Sequence, residues 1–408
     1  MFDQQARLER MLARHGDAAV VEATAGRPTV IRRDQLLVAA EDAAVVEDRV
    51  RRWCDSMRDE GGVCLVRLRP GARVDVCDLA SRLGGDGRRP AVAPNHLVHG
   101  QPMWWSGPAD RPRPCAPLPA PSAAAPPRRD VTVAVLDTGL SPHPWYERAD
   151  WYAEQRAEVA EVLDADLDLK LDAQAGHGTF IAGVVLRHAP SARIRARRVI
   201  GGDGVGDELA VVRALRWLAA WGRADVVNLS LGCHTFDDRP SPVLARAIAA
   251  LGRGTVVVAA AGNAAARRPF WPAALPSVIA VAALDGRERA WFSNHGEWVD
   301  ACAPGVRVTS CYLDLTRTPL RTSGRGTFAG YATWSGTSFA APAVAGAIAA
   351  LAAAEDLDAV AAAERVLDPA AARTLPDLGV VVGDRLPRLS RVPAPRASAV
   401  GIDPVAKR

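Results

Sequence analysis

VTVAVLDTG, residues 131–139, decides the fold. Its first six residues are apolar or small on both alternating faces, and the first charge is Asp137. A run apolar on both faces is the pattern of a strand covered on both sides, as in a parallel sheet flanked by helices. The strand stops on a carboxylate followed by Thr138 and Gly139. It therefore delivers Asp137 to the carboxyl edge of the sheet, where open α/β folds build their sites.

Downstream the pattern repeats. ARIRARRVI (192–200), DVVNLSL (225–231), TVVVAAAG (255–262) and SVIAVAAL (277–284) read as strands. Helical spacing of apolar residues covers 177–187, 207–221, 242–251 and 337–354, and 357–367 is a further helix in an Ala-rich tail. Strands alternating with helices argue for a parallel sheet in an α/β domain. Upstream, the Pro-rich run 107–129 lacks amide donors and has fixed φ angles, so it reads as an extended linker. Before it, 35–40, 63–70 and 91–98 read as strands, and 41–57 and 74–83 as helices. That order is close to βαββαβ with one strand unclear. The expected division is a small α+β domain over 1–105, a linker over 106–129, the α/β domain over 130–355, and a C-terminal helix and tail over 356–408.

Two further motifs follow Asp137. GHGTFIAGVV (176–185) sets His177 between glycines at the start of an apolar helix, and SGTSFAAPAVAG (335–346) sets Ser338 at the start of the longest apolar helix. A serine hydroxyl is a weak nucleophile until an imidazole takes its proton. The imidazole in turn needs a carboxylate to hold its tautomer and balance its cation. A helix N-terminus under Ser338 supplies free amides and a positive dipole end for a developing oxyanion.

DTG, GHGT and GTSxAAP in this order resemble the subtilisin-type serine peptidases, over about 130–354. The resemblance implies an Asp137–His177–Ser338 triad. It also implies that Asn263 of AAAGN (259–263) donates to the oxyanion together with the Ser338 amide, and that Ser230, Leu231 and Gly232 of NLSLG line the cleft. Phe270 falls near the floor of the primary specificity pocket, where a bulky ring would favour small residues before the scissile bond. The N-terminal part resembles the prodomains of the family, and PNHLVHG (94–100) looks like the terminal strand that lies in the active site as an intramolecular inhibitor. Self-cleavage is then expected near 100–101 or later in the linker. The implied reaction is endopeptidase action on protein or peptide substrates, with no cofactor needed. Two rivals stay open on this scaffold: another acyl transfer, such as peptide cyclisation, and an interaction protein whose cleft is permanently filled.

The acidic run LDADLDLKLDAQAGHG places Asp164, Asp166, Asp168 and Asp172 at spacings of a calcium loop, but Leu169 stands at the turn position and Ala175 where a bidentate Glu belongs. A solvated acidic loop is the favoured reading, with structural calcium as the alternative. His143 reads as structural, and His188, His234 and His295 have no partner at ligand spacing. The chain has 408 residues and a formal charge of +4, spread without a basic stripe, which argues against nucleic acid. No apolar run reaches the ~20 residues of a membrane span. The first residues carry no secretion-type apolar core, and the seven cysteines form no metal spacing, so reduced thiols in a cytoplasm are expected.

Overall fold

The computed structural model describes residues 4–84, 90–100, 111–322 and 326–383. VTVAVLD forms the strand Thr132–Asp137, paired in parallel with Arg193–Arg198 on one side and Val226–Leu229 on the other. Val256–Ala260, Val278–Asp285, Ala301–Pro304 and Gly379–Val381 continue the parallel sheet outward. The alternation along the first strand sorts side chains between two cores. Val133 and Val135 pack with the helices His177–His188 and Thr337–Glu355, whereas Ala134 and Leu136 pack with Glu208–Trp217 and Pro242–Ala249. The α/β architecture with helices on both faces is thus present. Thr337–Glu355 is long and apolar enough to cross a membrane by composition, but most of it lies inside the protein as the central core helix.

The helix starts are built from local chemistry. Asp207 caps Glu208–Trp217 by accepting the Ala210 amide at 3.0 Å. Ser241 caps Pro242–Ala249 through the Leu244 amide, with Pro242 at the first helical position, where its missing N–H costs nothing. The expected helix over 207–221 ends as an α-helix at Trp217 and continues as one π-helical turn, Leu218–Gly222.

The N-terminal region forms an antiparallel sheet in which Thr29–Ala39 pairs with both Val63–Leu68 and Val92–His99. The expected helix over 41–57 is shorter: a 3₁₀ turn, Ala40–Asp42, leads into Ala43–Val50, and Cys54–Asp59 is a strand. This is the missing member of the βαββαβ order. Its sequence CDSMRD shows no apolar alternation because it is an edge strand, paired among the described residues only with Val63–Leu68 and half exposed. A first helix, Gln4–Arg14, and a short strand, Ala18–Val21, precede the pattern and were not expected.

Both faces of this sheet are covered. Leu36, Val38, Cys64 and Val66 pack with the helices Ala43–Val50 and Val76–Gly84. Their neighbours Leu37, Ala39, Val63 and Leu65 pack on the two helices of the α/β domain that follow Asp207 and Ser241. The contact between the two regions is therefore a continuous apolar core.

Candidate active site

Asp137 leaves its strand at the carboxyl edge and meets His177 at the first position of its helix. Asp137 Oδ1 lies 2.8 Å from His177 Nδ1 and also accepts the Thr138 amide at 2.8 Å. Both side chains are about 1% exposed, so the pair works in a low-dielectric setting. The glycines around His177 serve neighbours other than a substrate strand. A side chain at Gly176, which has φ +82°, would strike the Tyr312 ring, and one at Gly178 would strike the Gly139 carbonyl. Gly178 lets the helix start press against the Asp137 turn, and Gly176 lets it close on Tyr312. The His177 ring is then wedged against Trp334 and Phe339, with centroids 5.3 and 5.4 Å away.

Ser338 is the second residue of its helix. Pro342, four residues on, has no N–H to bond the Ser338 carbonyl, and that carbonyl instead accepts the Ser230 hydroxyl at 2.8 Å. Asn263 is oriented by its oxygen, which accepts the Thr337 amide at 2.8 Å and the Thr337 hydroxyl at 2.9 Å. This leaves its Nδ2 as the donor facing the helix start. A serine hydroxyl, a buried His–Asp pair, a helix N-terminus and a fixed amide donor together can carry out acyl transfer.

The cleft is filled by the chain itself. The end of the strand Val92–His99 runs between two segments of the α/β domain, with Leu97, Val98 and His99 antiparallel to Asp207, Gly206 and Val205. On the other side His99 exchanges backbone hydrogen bonds with Gly232, at 2.9 and 3.2 Å. The Gly100 amide reaches the Gly204 carbonyl at 3.2 Å, and the Gly100 carbonyl accepts from Ser338 Oγ at 3.2 Å. Ser338 Oγ also lies 3.3 Å from the Ser230 carbonyl. The expected cleavage position after Gly100 lies outside the described residues.

Ser230, Leu231, Phe270 and Asn263 line a small cavity of about 20 Å³ next to Ser338. The Phe270 ring occupies the space between Gly232 and Gly262, where added Cβ atoms would stand 2.5 and 3.1 Å from it. Its edges meet His99 and His234, with centroids 5.7 and 5.3 Å away.

Asp164, Asp166 and Asp168 gather oxygens within 4.8 Å of one another, a group that could hold a cation. Asp172 is turned toward Arg14, which pairs with it at 2.8 and 3.1 Å. The cluster has internal cations: Lys170 bonds Asp168 at 2.7 Å, and Arg14 stands 3.6 Å from Asp166. Asp164 also accepts the amides of Asp168 and Leu169. His143 is buried with Nε2 on the Gly330 carbonyl at 3.0 Å, among the rings of Trp145, Tyr146 and Tyr331. His234 Nδ1 bonds the Pro269 carbonyl at 2.8 Å.

Three parts of the site had no motif to announce them. The cleft edge at 204–207 falls in GGDGVGD, whose glycines were the available signal. Gln174 is buried beside Gly100. Glu161 sits under the Asp137 turn, accepting the hydroxyls of Thr138, Ser141 (2.8 Å) and Thr179 (2.9 Å). Burial raises its pKa, the three hydroxyls oppose the rise, and Asp137 adds to it. Thr138 in turn accepts the Gly178 amide at 2.8 Å, so Glu161 links the Asp137 turn to the His177 helix.

The sequence model of the Subtilase family matches residues 128–381. Subtilisin BL of Lederbergia lenta is 38% identical over 230 residues, covering 54% of this chain and 75% of its own. A thermophilic serine proteinase of Bacillus sp. (strain AK1) is 38% identical over 232 residues, 54% of this chain and 51% of its own length. The crystal structure of fervidolysin from Fervidobacterium pennivorans aligns with a TM-score of 0.56 at 19% identity, over 86% of this chain and 60% of that one, a likeness of fold.

Proposed function

The chain belongs to the subtilase family of serine proteases, and from that premise we propose that Asp137, His177 and Ser338 are its catalytic triad and that its N-terminal domain is a tethered inhibitor of the same site. Ser338 Oγ gives its proton to His177 Nε2 while the oxygen attacks the substrate carbonyl carbon. Asp137 holds the Nδ1–H and balances the imidazolium. The oxyanion is received by Asn263 Nδ2 and the Ser338 amide at the helix start. His177 then protonates the leaving amine, and water hydrolyses the acyl-enzyme by the same path in reverse. Protein or peptide substrates lie between 205–207 and 230–232. No cofactor enters these steps.

The contact of the Gly100 carbonyl with Ser338 Oγ, at the end of a strand paired on both sides, carries the inhibitory reading. Polar ties support it: His96 Nδ1 meets Glu208 at 3.1 Å in full burial, and His15 meets Asp203 at 2.7 Å. The test is the rate at which a fluorophosphonate probe labels Ser338 in the full chain, beside a His96→Ala, Arg14→Ala double variant. Labelling should be slow in the first and at least tenfold faster in the second. Equal, rapid labelling of both would refute the tethered inhibitor.

A further inference from the structure

Gln174 is about 1% exposed, and neither its Oε1 nor its Nε2 has a hydrogen-bond partner among the described residues. A buried primary amide left unpaired is costly, because it has given up water without replacement. Its position is fixed from both ends. The Gln174 amide N–H bonds the Gly202 carbonyl at 2.7 Å, its carbonyl accepts the His177 amide at 3.0 Å, and its Cγ packs over Gly204. The side chain ends beside the residue that occupies the cleft. A Cβ built on Gly100 would stand 3.3 Å from Gln174 Oε1, and 3.4 Å from both His177 Cε1 and Ile200 Cδ1.

These distances define a subsite with room for one small group and an unpaired amide at its wall. Glycine fits but leaves the amide unpaired. Alanine fits after shifts of a few tenths of an ångström and leaves it equally unpaired. A β-branched or larger side chain meets Ile200 or the His177 ring, which cannot retreat without disturbing its bond to Asp137. Serine has nearly the volume of alanine, and its hydroxyl can both donate to Oε1 and accept from Nε2.

We propose that Gln174 is the specificity-determining residue of the subsite beside His177, and that this subsite selects serine at the substrate position now held by Gly100. The proposal rests on the reading that 97–100 lies in the cleft as a substrate strand does. It gives the glycine a role: the tethered occupant leaves the amide unpaired, so a substrate with serine at that register binds the same cleft better.

The experiment compares fluorophosphonate labelling of Ser338 in the full chain with glycine, Gly100→Ala, Gly100→Ser and Gly100→Leu, each also in Gln174→Leu and Gln174→Glu backgrounds. Gly100→Ser should slow labelling about fivefold relative to Gly100→Ala, the size of one added net hydrogen bond. The difference should vanish in Gln174→Leu and return in Gln174→Glu, which keeps an acceptor. Peptides with serine or alanine at the same register should show the same fivefold ratio in kcat/KM, with the same dependence on Gln174. Equal labelling of the serine and alanine variants, or a difference that survives Gln174→Leu, overturns the proposal. Gly100→Leu separates the two levels: it should be expelled and speed labelling, and no change there would instead refute the placement of 97–100 in the cleft.

Discussion

Replacing Phe270 by alanine should convert a shallow specificity pocket into a deep one. The ring is 5% exposed and fills the gap between Gly232 and Gly262. With the ring in that gap, a leucine or phenylalanine side chain of a substrate would collide with it, so the wild-type enzyme should cleave after small residues. Removing the phenyl group opens space for an aromatic ring of the substrate. Burying such a side chain is worth ~1.5–3 kcal/mol, which converts to roughly 10- to 150-fold in kcat/KM. The variant also loses core packing, with ~3–5 kcal/mol as the upper limit for a Phe→Ala change, less here because the new space opens to the cleft. The assay is a set of peptides differing only in the residue before the scissile bond, with thermal melts alongside. Cleavage by the wild type after Phe or Leu as fast as after Ala, or an unchanged profile in a folded Phe270→Ala variant, would refute the argument.

Asn263→Ala should lower kcat about 10²–10³-fold with KM little changed, a loss established for such a donor in a subtilisin rather than worked out from this geometry; a fall below tenfold would remove Asn263 from the oxyanion site. Burial holds His143, His188 and His234 down to about 4 from 6.5, so each stays neutral in the fold while the unfolded chain takes up a proton below ~6.5. The stability they contribute is present above that pH and lost as pH falls toward 4, at ~1–2 kcal/mol per histidine by pH 5. Glu161, raised by burial, acts in the opposite direction, so the clean readout is the urea midpoint of His188→Leu, which should lose less than wild type between pH 7.5 and pH 5. Because Arg14 and Lys170 already pair with three of the four carboxylates of the acidic loop, the melting temperature should not move with EDTA; a drop of several degrees would restore calcium there.

The sequence displayed the α/β core because its signals are local. VTVAVLD, GHGT and GTSFAAP each join a secondary-structure change to a polar residue at the turn, and the structure brings Asp137, His177, Ser338 and Asn263 to one edge. What it hid depends on tertiary partners. Cys54–Asp59 is a strand because Val63–Leu68 lies beside it, and no apolar alternation marks an edge strand that is half in water. Glu161 and Gln174 look like ordinary surface residues in their own neighbourhoods. Their burial follows from the Asp137 turn and from Gly204, which are distant in sequence. No apolar pattern marks 204–207, and Val205–Asp207 becomes a strand by pairing with 97–99.

QLLVAA (35–40) is apolar at every position but the first and VCLV (63–66) at every position, although an antiparallel sheet with a free face alternates. The missing polar face is the one pressed on the helices after Asp207 and Ser241. If the N-terminal domain leaves, it carries away a bare greasy sheet and uncovers a matching patch on the enzyme. Return would then compete with clumping and with digestion by the enzyme just freed. On the inhibitory reading proposed above, such a latch would behave as a fuse that does not reset once opened.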